Sequence, residues 1–114
     1  MRIADAMKQI RASNSEHGFH AKGREIFCEK MLLVVSEISE ALEEFRDGRG
    51  LDEVYYHQTV EGDAKPEGIP IEMADAVIRI FDFCEHEGID VQALLEQKHA
   101  YNLTRPFRHG GKVT

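Results

Sequence analysis

Tryptophan is absent from this 114-residue chain, cysteine occurs twice, proline three times, and basic residues are outnumbered by acidic ones, 14 to 21. Cys28 and Cys84 have no C-x-x-C spacing, which excludes a disulfide framework or a four-cysteine zinc site; both read as buried small apolar residues. The formal net charge of −7 opposes nonspecific binding to nucleic acid or to an anionic membrane. It leaves room for an anionic ligand bound through a metal ion. No apolar run reaches the ~18 residues that a membrane span needs. The N-terminal stretch MRIADAMKQIRASNSEHGFH has no signal-peptide core, so a cytoplasmic protein is the expectation. No G-x-S-x-G element and no P-loop is present, and nothing supports covalent catalysis. His17-Gly18-Phe19-His20 with Cys28 is too irregular for zinc, and His57 and His86 read as surface residues.

What is present fits an ordinary globular chain, with 42% hydrophobic and 31% charged residues. One domain over residues 1–114 is expected, with a core modest enough that pairing with another copy would help stability. Four helical segments can be drawn. The first, roughly Arg2 to Glu16, places Ile3, Ala6, Met7 and Ile10 on one face. The second runs roughly from Glu25 to Arg46 and ends at Asp47-Gly48. The third begins at Pro70, a residue suited to a first helical turn, and reaches about Glu87 before Gly88. The fourth follows Asp90, a candidate N-cap, and runs to about Asn102, with Pro106 beyond its end. No convincing strand is evident, although Val54-Tyr55-Tyr56 fits a short helix or a bit of strand. The simplest architecture is an all-α, four-helix bundle-like domain. It carries a long polar loop at about 47–69, of a length typical of lids, and a basic C-terminal tail at about 103–114.

Acidic residues stand where the helical pattern does not want them. At about 100° per residue, the apolar side chains of IPIEMADAVIRIFDFC cover roughly two-thirds of a helix. The remaining narrow stripe holds Glu72, Asp75, Arg79, Asp82 and His86. A helix so wrapped should pack on several sides, leaving its stripe to line a crevice. In the second segment Glu37 lies about 40° from Leu33 on one side and about 40° from Ala41 on the other, inside the apolar arc. Glu40 sits at the arc's edge and Glu43 faces water. Two helices thus each present carboxylates three residues apart, Glu37 with Glu40 and Glu72 with Asp75. Burying several unpaired carboxylates is very costly, and a divalent cation relieves that cost. Oxygen ligands suit Mg²⁺, with Mn²⁺ as a substitute, better than zinc. The competing reading is a solvated or Arg- and Lys-paired acidic face, which Arg79, one turn beyond Asp75, favours. Spacing alone leaves the two level.

The run Ser36-Glu37-Ile38-Ser39-Glu40-Ala41-Leu42-Glu43, followed by Glu72-Met73-Ala74-Asp75, resembles the MazG-like nucleoside triphosphate pyrophosphohydrolases. These belong with the all-α pyrophosphatases that include dimeric dUTPases and phosphoribosyl-ATP pyrophosphatase. The pattern of that superfamily is E-E-x-x-E, a spacer, then E-x-x-D. Glu37 and Glu40 match its second and third glutamates, and Glu72 and Asp75 the distal pair. Ser36 departs from it at the first glutamate, and the spacer is longer, which suggests a lid particular to a subfamily. The ending Lys98-His99-Ala100-Tyr101-Asn102-Leu103-Thr104-Arg105-Pro106-Phe107-Arg108-His109-Gly110-Gly111-Lys112 is similar to the K-x-x-Y-N-x-x-R…HGGK close of small MazG-like proteins. The resemblance covers roughly Met31 to Lys112.

What the resemblance implies is Mg²⁺-dependent cleavage of a (d)NTP between its α and β phosphates, giving a (d)NMP and pyrophosphate, as in housekeeping of the nucleotide pool. The metal-ligand and catalytic candidates are then Glu37, Glu40, Glu72 and Asp75, with Glu40 also open as the group that orients or deprotonates water. Lys98, Tyr101, Asn102, Arg105 and Lys112 are the candidate substrate-binding residues. If helix persists that far, Lys98, Asn102 and Arg105 share a face. Phe19, Phe27, Tyr55 and Tyr56 are open as walls of a base pocket or as ordinary packing. The resemblance also implies a homodimer or a dimer of dimers. Ser36 keeps an alternative in view, a non-catalytic nucleotide- or partner-binding bundle.

Overall fold

Four α-helices and one β-hairpin make up the computed structural model, which describes residues 2–16 and 23–106, with side chains described outside 14–16. In chain order they are α1 (Ile3–Glu16), α2 (Gly23–Arg46), β1 (Tyr55–Gln58), β2 (Ala64–Glu67), α3 (Ile69–His86) and α4 (Val91–Leu103). The chain is therefore predominantly α-helical, and each expected helix forms within a residue or two of its expected ends. The punctuation works as the residue chemistry requires. The Asp90 side chain accepts a hydrogen bond from the Ala93 N–H at 3.1 Å and starts α4. Pro70 sits in the first turn of α3, which starts at Ile69 directly after Gly68, whose φ is 125°. A Cβ on Gly68 would stand 2.2 Å from the Glu53 carbonyl oxygen, so only glycine allows the hairpin's return to pass this close.

The segment expected as a long loop without convincing strand instead carries the antiparallel hairpin, with Tyr55 opposite Glu67 and Gln58 opposite Ala64. Its polar sequence has no alternation to announce strands, and side-chain clamps at its base hold it in place. The Tyr55 hydroxyl donates to both carboxylate oxygens of Glu44 on α2, at 2.7 and 2.9 Å. The Arg49 guanidinium lies 3.6 Å over the Tyr55 ring and bonds Glu53 at 2.9 Å.

α3 is the central element and packs against both α2 and α1, while α4 packs on α1. The small core contains Met7, Ala41, Ala76 and Phe83, with Phe27 edge-on to Phe83 at 5.4 Å. Asp82 is buried at 5% exposure and held by Arg11 of α1 at 3.3 Å.

Two expectations are corrected. α3 is not enclosed on several sides: within one chain its polar stripe faces α1 and α2, while Met73, Val77, Ile78 and Ile80 stay exposed. Two packing neighbours cannot cover an apolar arc of two-thirds of a helix. Nor are the cysteines both buried: Cys28 is exposed and Cys84 intermediate, because Cys28 lies on the outer flank of α2, near the exposed Val35 and Leu32 rather than the core-facing Ala41. Among the described residues no helix is long and apolar enough to cross a membrane.

Candidate functional site

The seam between α2 and α3 gathers the misplaced acids. Glu37 projects from the buried side of α2 and Glu72 and Asp75 from the first turns of α3. Each offers one carboxylate oxygen, and these oxygens all lie within 4.8 Å of one another. At such separations each ionised pair repels by roughly 3 kcal/mol at an effective dielectric of about 20. The chain answers that repulsion in two ways. Glu72 holds its proton: burial first, then a hydrogen bond with Glu37 and the charges of Glu37, Asp75 and Glu40, push its pKa up to about 7. Asp75 is also raised, by burial and by Glu37, against the opposing pull of Arg79 and Lys65. The second answer is a cation. The Arg79 Nε–H donates to the Glu37 carboxylate at 2.9 Å, bridging α3 to α2.

A groove of about 300 Å³ opens beside the acids and is lined by Lys30, Leu33, Glu37, Asp75, Ile78, Arg79 and Asp82. Lys30 was not singled out by the sequence reading, although it precedes Glu37 by two helical turns and so shares its face. Lys65, delivered toward Asp75 by β2, had no local signal, because only the hairpin brings it there.

The remaining candidates are placed elsewhere. Glu40 is exposed and outside the three-acid group, about 60° from Glu37 around α2, although its charge still reaches Glu72. Ser36 is exposed, and its hydroxyl donates to the Leu33 carbonyl at 2.9 Å. Lys98, Tyr101, Asn102 and Arg105 are exposed, and none of them lines the acid groove within the chain. The Lys98 ammonium lies 5.0 Å and the Arg105 guanidinium 5.8 Å from the Tyr101 ring centre, so two of these four gather around a third. Helix α4 ends at Leu103, so Arg105 reaches that ring from the turn after the helix rather than from a continued helical face. Tyr55 is committed to Glu44, Tyr56 is exposed, and Phe27 packs on Phe83. His17, Phe19, His20 and the Phe107–Lys112 ending, including Lys112, lie outside the described residues.

Carboxylate oxygens drawn together from two helices, one of them keeping its proton near neutrality, are a donor set that a hard divalent cation fits and that a histidine- or cysteine-seeking metal does not. No family model matches the chain, and no curated protein and no solved structure matches it significantly.

Proposed function

We propose that this chain is a Mg²⁺-dependent nucleoside triphosphate pyrophosphohydrolase of MazG-like fold, cleaving between the α and β phosphates and acting as a homodimer or dimer of dimers. The observation that carries the reading is the convergence of Glu37, Glu72 and Asp75, with ligand oxygens within 4.8 Å. These three, with Glu40 alongside, are the residues that would hold Mg²⁺. When bound, the ion supplies charge neutralisation for phosphate oxygens and acidifies coordinated water. The chain's own residues do the rest. The acid cluster orders the site across the α2–α3 seam, and Arg79 and Lys30 line the same groove with positive charge suited to phosphate. The Lys98–Tyr101–Arg105 group presents two cations and a ring, suited to the phosphate and base of a nucleotide. The uncovered apolar face of α3 supports self-association.

Incubation with standard and modified dNTPs plus Mg²⁺, with products resolved, tests the reading: a monophosphate and pyrophosphate are expected, and release of orthophosphate alone would refute it. Glu72→Ala and Asp75→Ala should each abolish most activity while leaving the fold intact. Glu43→Ala, at an exposed residue paired with Arg46, should leave both activity and fold unchanged. One observation favours a second reading. Ser36 replaces an acid of the family pattern and its hydroxyl is already spent on Leu33, so the chain has one acid fewer to offer. Tight triphosphate binding without any product would identify a non-catalytic nucleotide-binding bundle.

A further inference from the structure

We infer that Arg79 is a displaceable counter-ion, which holds the Glu37 carboxylate in the absence of a divalent cation and surrenders it when the cation arrives. The inference rests on the reading of the acid cluster as a cation site. Four features of the geometry carry it.

The Arg79–Glu37 bond spans 42 residues and joins two helices, so it belongs to the tertiary site and not to local helix pairing. It uses Glu37 Oε1, on a carboxylate that also serves the three-acid group. A guanidinium bonded there occupies a lone pair and adds positive charge beside any incoming dication, so the two compete for one carboxylate. The partners also differ in exposure. The Glu37 side chain is 13% exposed and the Arg79 side chain 40%, so the guanidinium has a way out to solvent that the carboxylate lacks. Finally, the groove gives Arg79 somewhere to go. It shares that space with Asp75, one turn before it, and Asp82, one turn after it, on the same side of α3. A guanidinium that leaves Glu37 therefore remains within the groove, where it faces an anionic ligand brought in with the cation.

An arginine without this role would hold Glu37 in position, and its removal would weaken cation binding. The two roles predict opposite signs.

The test is Mn²⁺ binding to the full chain without nucleotide, followed by electron paramagnetic resonance of the free ion. Wild type is compared with Arg79→Leu and Arg79→Gln, and circular dichroism checks that each variant is folded. Both variants should bind Mn²⁺ about tenfold more tightly than wild type, a typical size for coupling between competing groups. Arg79→Lys, which keeps the charge but not the planar donor, should fall between wild type and these two variants. If wild type binds Mn²⁺ and the folded variants bind it equally or more weakly, Arg79 is a positioning residue and the inference is overturned, with the cation site intact. If no protein binds Mn²⁺ at millimolar concentration, the cation reading falls and takes the inference with it.

Discussion

Glu72 carries the sharpest consequence of having three acids in one seam. Folding lifts its pKa from the ordinary 4.5 to about 7, with burial as the leading cause. The folded chain therefore favours the protonated carboxyl. That contribution to stability is fully present below about pH 4.5, drains away as the pH climbs, and is gone above about pH 7. Above that range the folded chain must ionise a group that its surroundings resist. Glu72→Gln removes the charge and keeps the shape. In cation-free protein near pH 8 it should stabilise by about 1–2 kcal/mol once solvent screening is allowed for, a Tm rise of several degrees. Near pH 4.5 the gain should nearly vanish. Thermal melts of the two proteins across that pH range check the sign, and equal melting temperatures at pH 8 would mean that the acids do not strain one another. Asp82 shows the contrasting solution. It is more deeply buried than Glu72, yet Arg11 holds it. The cluster has Arg79 on one of its three carboxylates and so keeps an appetite for positive charge.

The hairpin and the start of α3 act as one element, because Gly68 lets the backbone of β2's end pass against Glu53. Gly68→Ala should destabilise the chain by about 2–4 kcal/mol, since the new Cβ would overlap a carbonyl and φ 125° is strained for alanine. Gly62→Ala is the control. It also has a positive φ, 92°, but open space around it, and should cost only about 1 kcal/mol. Urea unfolding of the two variants measures both, and equal losses would show that the close approach at Glu53 does not matter. This pair of positions also marks where the sequence stopped being legible. Helices α1 to α4 could be read because Gly, Pro and Asp punctuate a 3.6-residue apolar rhythm. Glu37 could be read because a charge inside an apolar arc is out of place, and Glu72 and Asp75 because they share the narrow polar stripe of an otherwise apolar helix. The hairpin could not, because its order comes from Tyr55 reaching Glu44 eleven residues back and from Arg49 stacking on Tyr55, contacts with no periodicity. Nor could the Arg79–Glu37 pair, since a spacing of 42 residues says nothing about which acid an arginine will meet.

Across the whole molecule, one chain is an incomplete burial. It exposes 8724 Å² at 13.0 kDa, where about 6,300 Å² is usual for a folded monomer of that mass. Its radius of gyration is 17.1 Å, against about 13 Å for a compact chain of this length. The excess has a particular composition. On α2, Val35, Ile38, Leu42 and Phe45 follow a 3-4-3 spacing, and on α3, Met73, Val77 and Ile80 follow a 4-3 spacing. Both are seams of the kind that helices bury against other helices. Sedimentation at micromolar concentration should therefore find a dimer or tetramer, with a melting temperature that rises with protein concentration. Val77→Glu, at a position 45% exposed in the single chain, would be almost neutral if that face met water. On a face buried between copies it should instead lower the melting temperature by ~10 °C or more and shift the sedimentation coefficient toward the monomer. A wild-type chain that sediments as a monomer at 100 μM, together with a Val77→Glu variant of unchanged stability, would leave these seams without a partner and remove self-association from the account.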